Sequence, residues 1–275
     1  MLRKEIKYQG KSIKYSASGE GQPVVLLHGF GEDSWVWKHQ VEALSGYHLI
    51  VPDLPGSGQS EMIDDMSLEG IAAVIEKILI HETATVFFKE GEPGSVVMIG
   101  HSMGGYITLA FTEKYPQMLR AFGLFHSSAF ADNEQKKETR RKGIEFIYKN
   151  GAYQFLKTVI PNLYSPAERS KQFISAHLEE INNFSGEALV SYYNSMINRP
   201  DRTGILKETK LPVLFILGRY DNAVPLEDGL KQCHLPQLSY IHILEKSGHM
   251  GMVEESGKSN IIISTFVKNL QKVYL

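Results

Sequence analysis

The stretch Val96-Val97-Met98-Ile99-Gly100-His101-Ser102-Met103-Gly104-Gly105 constrains this chain more than any other. A short apolar run stops at a Gly-x-Ser-x-Gly pentapeptide, and Tyr106, Leu109, Ala110 and Glu113 continue in a helix-like pattern. This predicts a buried strand, a sharp turn and a helix, with Ser102 at the tip of the turn. The glycines on either side are required because the backbone doubles back, so a Cβ at Gly100 or Gly104 would collide with its neighbours. Such a turn lifts Ser102 Oγ clear of the sheet, near the positive end of the following helix. A five-residue pattern also recurs in strand-to-helix connections with an incidental serine, so the rest of the chain has to decide.

Around this stretch, strand and helix patterns alternate. Ile6 to Tyr8 and Ser12 to Ser16 predict a hairpin about Gln9-Gly10-Lys11. Val24-Val25-Leu26-Leu27 is a continuous apolar run of the kind buried on both faces of a parallel sheet, and it ends in His28-Gly29-Phe30-Gly31. Asp33 or Ser34 caps a helix to about Leu44, and His48 to Val51 is the next strand. Ser67 opens a helix with an apolar stripe at Leu68, Ile71, Ala72, Ile75, Ile78 and Leu79. A helix to Lys114 follows the central strand, Pro116 terminates it, and Leu119 to Phe125 is a further strand. Between about Phe130 and Leu206 only helix patterns occur, among them the charged run Glu134 to Lys142, read as a solvated face, and the capping box Ser165-Pro166-Ala167-Glu168. Strand patterns resume at Pro212 to Gly218 and Tyr240 to Leu244, and a final helix covers about Val253 to Lys272. The expected architecture is an α/β, mostly parallel, doubly wound sheet of about eight strands. Its core is expected over residues 1–129 and 207–275, with a helical cap, residues 130–206, inserted after strand 6.

Composition narrows the function. Twenty-nine lysines and arginines against 31 aspartates and glutamates leave a net charge of -2, so no basic field recruits nucleic acid. The single cysteine, Cys233, excludes an internal disulfide and a thiolate metal site, and the pattern around it predicts an inert surface-helix residue. No apolar run reaches the ~18 residues of a membrane span, and the N-terminus is charged from Arg3 onward, so the expected location is cytoplasmic.

Three polar side chains lie in order just past predicted strand ends: Ser102, Asp221 and His249. Ligands of open α/β sheets bind at the carboxyl ends of the strands. A serine hydroxyl needs a base within hydrogen-bond reach, and histidine serves because its pKa lies near neutrality. An aspartate on the other imidazole nitrogen fixes the tautomer and stabilises the imidazolium. The chain order Ser…Asp…His differs from that of the two familiar serine-protease families.

With His28-Gly29-Phe30-Gly31, Asp53-Leu54-Pro55-Gly56-Ser57-Gly58-Gln59-Ser60, Gly100 to Gly105, Gly218-Arg219-Tyr220-Asp221-Asn222-Ala223-Val224-Pro225 and Gly248-His249, the chain resembles the α/β-hydrolase superfamily over nearly its whole length. The resemblance implies that Ser102 is the nucleophile, His249 the base and then the acid, and Asp221 the orienting carboxylate. It also implies an oxyanion hole from the backbone N–H groups of Phe30 and Met103, and no cofactor or metal. His28 and His101 take loop-shaping roles, Asp53 and its glycines hold a turn, and His126 either flanks the pocket floor or bonds locally. Serine at 102 argues against the dehalogenases and epoxide hydrolases of the superfamily, which place aspartate there. The expected function is hydrolysis of a carboxylic ester, lactone or thioester of a small to medium acyl substrate through an acyl-enzyme, by a monomer or homodimer. The alternatives are a C–C bond hydrolase or lyase on the same triad, and a slow-turnover ligand receptor.

Overall fold

In the computed structural model, residues 1–83, 96–181 and 184–273 are described. The chain opens with the hairpin of β1 (Leu2–Tyr8) and β2 (Lys11–Ser18). Gln9 and Gly10 both have positive φ, the two-residue turn whose twist matches that of the strands it joins. Then follow β3 (Pro23–Leu27), α1 (Lys38–Ala43), β4 (His48–Pro52), α2 (Leu68–Thr83), β5 (Val96–His101), α3 (Met103–Lys114) and β6 (Leu119–Phe125). Five helices come next: α4 (Glu134–Asn150), α5 (Ala152–Val159), α6 (Ala167–Glu180), α7 (Gly186–Asn198) and α8 (Thr203–Glu208). The chain then returns to the sheet through β7 (Val213–Gly218), α9 (Leu226–Leu230), β8 (Ser239–Leu244), α10 (Gly251–Glu254) and α11 (Ser256–Val273).

The eight strands form one sheet in the order β1-β2-β4-β3-β5-β6-β7-β8, parallel from β4 to β8, with β2 antiparallel to both β1 and β4. This is the mostly parallel, helix-covered α/β-hydrolase architecture expected from the sequence. Alternate residues of each inner strand enter opposite cores. Val25, Leu27, Val96, Met98 and Phe215 join the core that holds α2 and α3, whereas Val24, Leu26, Val97, Ile99 and Leu214 join the one that holds α11. The continuous apolar runs are therefore the signature of strands buried on both faces. From β3 the chain steps outward to β4 and then back past β3 to β5. The strand order thus reverses between β3 and β5, and an open crevice forms at their carboxyl ends. Phe30 and Ser102 follow those two ends.

Several local expectations are corrected. The helix expected from Asp33 begins as a 3-10 turn, Ser34–Trp37, capped by Asp33, and only then becomes α1. The capping box at Ser165 does not form: Pro166 holds the N-cap position of α6, Ser165 Oγ bonds Ser170 Oγ at 2.8 Å, and the Ser165 N–H donates to Glu254. A tertiary acceptor has won over the local one. The final helix breaks at Glu255, whose carboxylate accepts from Lys246 N at 2.8 Å and Ser247 Oγ at 2.7 Å and so holds the preceding loop. Cys233 lies in the turns after α9, not on a surface helix, and is buried; burial pushes its thiol up to about 11, which keeps it protonated. None of the described helices is long and apolar enough to cross a membrane.

The turn at Ser102 is as tight as the glycines require. A Cβ on Gly100 would lie 2.1 Å from Gly104 O, and one on Gly104 would lie 2.5 Å from Leu27 O. Both obstacles are backbone, so neither can swing aside. Gly100→Ala should therefore lower stability by about 3 kcal/mol or more, at the upper end of overpacking costs. Gly204→Ala, on an exposed helix with nothing within 4 Å, should be neutral or stabilising by up to ~1 kcal/mol. Urea denaturation midpoints of the two variants distinguish these outcomes.

Candidate active site

Ser102 sits between β5 and α3 at φ 50°, ψ -115°, a conformation that costs a non-glycine residue about 1–3 kcal/mol. Neighbouring hydrogen bonds hold it there. Its N–H donates to Phe125 O at 2.9 Å, and its carbonyl accepts from Ser127 Oγ at 2.7 Å and Gly105 N at 2.9 Å. Met103 begins α3 directly after it. Phe30, past the end of β3, stacks on Tyr193 of α7 with ring centroids 4.3 Å apart. Among the described residues no hydrogen bond takes up the backbone N–H of Phe30 or Met103.

Ser102, His249 and Phe30 line one cavity of about 150 Å³. Helices between β6 and β7 supply much of its wall, including Leu156 of α5 and Tyr193 and Met196 of α7. Asp221 lies behind His249 and does not line the cavity; His249 Nδ1 donates to its Oδ2 at 2.8 Å. Asp221 Oδ1 accepts from the N–H groups of Ala223 and Val224, each at 2.8 Å. Burial works to raise the Asp221 carboxyl, but the two histidines beside it outweigh burial and hold it well below the usual carboxylate range. Burial also opposes charge on His249, yet Asp221 wins and moves the imidazole above its ordinary value. No hydrogen bond joins Ser102 Oγ to His249 among the described residues. In unliganded sites such contacts are often long, and they tighten when substrate binds.

The other histidines divide by their partners. His126 Nε2 accepts from Gly251 N at 3.2 Å, so Nδ1 carries the hydrogen and faces Asp221 Oδ2 at 3.1 Å. Burial, opposed by Asp221, brings His126 down to about 4 and keeps it neutral. His126 therefore does both things allowed for it in sequence: it bonds locally and lies beneath the site. His28 accepts from Leu54 N at 2.9 Å and bonds Gly29 O through its other nitrogen, tying the loop after β3 to that after β4. Asp53 accepts from Ser34 N and Gln59 N and pairs with Arg3.

His101 does more than shape its loop: it pairs with Glu32, which no sequence motif marks. His101 Nδ1 lies 2.9 Å from Glu32 Oε2, and Nε2 lies 2.9 Å from the His249 carbonyl. Both nitrogens face acceptors, so both contacts are hydrogen bonds only when the ring is an imidazolium. Glu32 Oε2 also accepts from Gly29 N at 2.7 Å. The pair thus links the Phe30 loop to the His249 loop beneath the cavity. Burial would raise Glu32, but His101 and the Gly29 N–H hold it down at about 2. Three residues after the His-Gly pair, a carboxylate so close to an apolar strand end was the one signal that could have flagged it. Glu254 makes a second tie, accepting from Gly248 N and from Ser165 N and Ser170 Oγ around the start of α6.

His126, Asp221 and His249 also bring three metal-ligand atoms within 4.8 Å of one another. Both ring Nδ1 atoms already face the same carboxylate oxygen, so the cluster could ligate an ion only by giving up the contacts that orient His249.

A profile described as the alpha/beta hydrolase family matches residues 24–258. The chain belongs to this family. It is 28% identical over 254 residues to Lipase 1 of Psychrobacter immobilis, which covers 89% of this chain and 77% of that protein. It is 24% identical over 277 residues to a 2-hydroxy-6-oxononadienedioate/2-hydroxy-6-oxononatrienedioate hydrolase of Burkholderia vietnamiensis, covering 93% and 91%. Among solved structures, a thermophilic esterase of Thermogutta terrifontis aligns at a TM-score of 0.88 with 28% identity, covering 98% of this chain and 99% of that one. The enol-lactonase of Burkholderia xenovorans aligns at 0.84 over 96% and 100%, and at 18% identity it speaks for the fold alone. The chain is thus a member of a hydrolase family with lipase and esterase relatives.

The Glu32 pair has a pH signature. A carboxyl lowered from 4.5 to about 2 on folding adds stability that is full above about pH 4.5 and is lost as pH falls toward 2. Relative to Glu32→Gln, the parent should therefore lose an advantage of about 3 kcal/mol over that window. Urea unfolding of both proteins between pH 7 and pH 3, where about 2 kcal/mol of that advantage should already be lost, measures this, and parallel curves would exclude the ion pair.

Proposed function

We propose that this protein is a serine hydrolase of carboxylic esters, with Ser102 as nucleophile, His249 as base and then acid, and Asp221 as the orienting carboxylate. One observation carries the reading: a serine held at a strained turn shares a cavity with a histidine whose far nitrogen is bonded to a buried, ionised aspartate. Residues 130–206 act as the cap over a hydrolase core made of 1–129 and 207–275.

His249 Nε2 would take the Ser102 proton as Oγ attacks the ester carbonyl. Asp221 on Nδ1 stabilises the imidazolium that forms. The oxyanion would meet the N–H groups of Phe30 and Met103, of which each is worth ~3 kcal/mol in such a hole. The imidazolium then protonates the leaving alcohol, and water repeats the sequence on the acyl-enzyme. Nothing in this chemistry asks for a metal or cofactor. A void of about 150 Å³ is the size of an apolar cavity that accepts benzene, which favours a small to medium acyl group. The lipase and esterase relatives support ester hydrolysis. The 2-hydroxy-6-oxo-dienoate hydrolases, alike over 93% of this chain, keep C–C bond hydrolysis on the same triad as the second reading.

On p-nitrophenyl esters from acetate to octanoate, turnover should peak at short chains, and Ser102→Ala should lose ~10⁴-fold or more in kcat. Equal rates in the two proteins would remove Ser102 from the role. Cleavage of a 2-hydroxy-6-oxo-dienoate without ester turnover would select the second reading.

The base must be neutral to act, and His249 is shifted upward, so kcat/KM should fall on the acid side with an apparent pKa above about 6.5. Asp221→Asn removes the group that raises it. The limb should then move to lower pH while the rate falls ~10⁴-fold.

A further inference from the structure

One guanidinium lines the cavity among the described residues: that of Arg140, from α4. Its Nε donates to Asp132 Oδ2 at 2.6 Å, and its Nη2 reaches Asp132 Oδ1 at 3.5 Å. The same Oδ1 lies 2.9 Å from Nη2 of Arg199, which is buried. Arg199 also donates to Met196 O at 2.9 Å and Phe130 O at 3.1 Å, and its guanidinium lies over the Tyr106 ring. Asp132 stays ionised, because these two guanidinium groups more than offset its burial.

Two full positive charges therefore share one carboxylate. Arg199 alone would balance Asp132, so Arg140 leaves a surplus charge at the cavity wall. Lys136, one turn earlier on α4, adds to the positive side. On the opposite side of the ledger, Glu32 also lines the cavity, but it is committed to His101 and Gly29 N. Among the described residues no hydrogen bond engages Arg140 Nη1. The guanidinium is held beside the Tyr193 ring, 5.5 Å from its centroid, and Tyr193 in turn stacks on Phe30. Such a cation, fixed in place and with donors left over, suits an anionic oxygen pair better than it suits an apolar chain.

We propose that Arg140 is the binding site for a carboxylate carried by the substrate, so that the enzyme acts on acyl compounds bearing a second, ionised carboxyl group. The proposal rests on the serine-hydrolase reading and names its substrate class. Arg140 is a specificity residue: it anchors the far end of the molecule while the reacting carbonyl meets Ser102.

The test compares monomethyl glutarate and monomethyl adipate with methyl valerate and methyl hexanoate, each followed by pH-stat. The parent protein should favour the half-esters by tenfold or more in kcat/KM. In Arg140→Gln that preference should drop about 10- to 100-fold, as expected for losing hydrogen bonds to a charged group. Arg140→Lys, which can still pair with Asp132, should keep part of it. A parent that prefers the neutral esters, or a preference equal in Arg140→Gln and the parent, overturns the proposal. Ser102→Ala separates the two ideas: if it hydrolyses both ester classes as the parent does, the serine reading fails. If it is inactive while Arg140→Gln keeps the parent's preference, only the carboxylate site fails. A binding readout needs no turnover. Millimolar glutarate should raise the melting temperature of Ser102→Ala, and it should not do so once Arg140→Gln is added. An equal rise in both proteins counts against the site.

Discussion

The close approach of the turn after β5 to its neighbours is the constraint on which the rest depends. Gly100 lies against the backbone of Gly104, Gly104 against the carbonyls of Leu27 and His28, and Gly105 against Ser127. Those contacts lock together the carboxyl ends of β3, β5 and β6. They also explain why a strained serine survives: its N–H and C=O are both satisfied by the β6 end. A strain of about 1–3 kcal/mol is small beside the packing of two cores that the same strands knit together.

Above this frame lies a set of buried charges whose members have distinct duties. Asp221 and Glu32 are both ionised, and each faces histidine, yet the results differ. His126 stays neutral because burial outweighs Asp221, and one of its nitrogens accepts from Gly251 N. His249 has one nitrogen on Asp221 and the other side toward the cavity, the arrangement a base requires. His101 has both nitrogens against protein oxygens and does not line the cavity, so it serves as a strut. Its Nε2 ends on the His249 carbonyl and its Nδ1 on the carboxylate that holds Gly29. Position in the hydrogen-bond network, more than residue type, separates the three rings.

Local patterning made most of the fold legible. Strands buried on both faces announce themselves as uninterrupted runs, and the glycines around Ser102 point to one backbone conformation. What the sequence hid were choices settled by distant partners. Ser165 looks like an N-cap, but Glu254, far along the chain, offers a better acceptor. The Ile- and Val-rich tail reads as one helix because nothing local reveals that Glu255 is committed to the Ser247 loop. Glu32 and Arg140 escaped notice for the same reason. A glutamate after a glycine loop and an arginine in a charged helical run both look solvated until the fold shows what each faces.

Arg140 shows how far that reasoning reaches. The run Glu134 to Lys142 has the composition of a solvent face, and along most of it that reading holds: Lys137 and Arg141 pair with Glu134 and Glu138 on the outside of α4. Arg140 points the other way, because Asp132, just before the helix, reaches it on the inner side. Half-burying a guanidinium is costly without a partner, and a carboxylate shared with Arg199 offsets that cost only in part. An anion entering the cavity would supply the remainder. A site of this design gains affinity for its ligand from charge imbalance in the empty protein, and it gains selectivity because a neutral ester of the same length leaves that imbalance uncorrected.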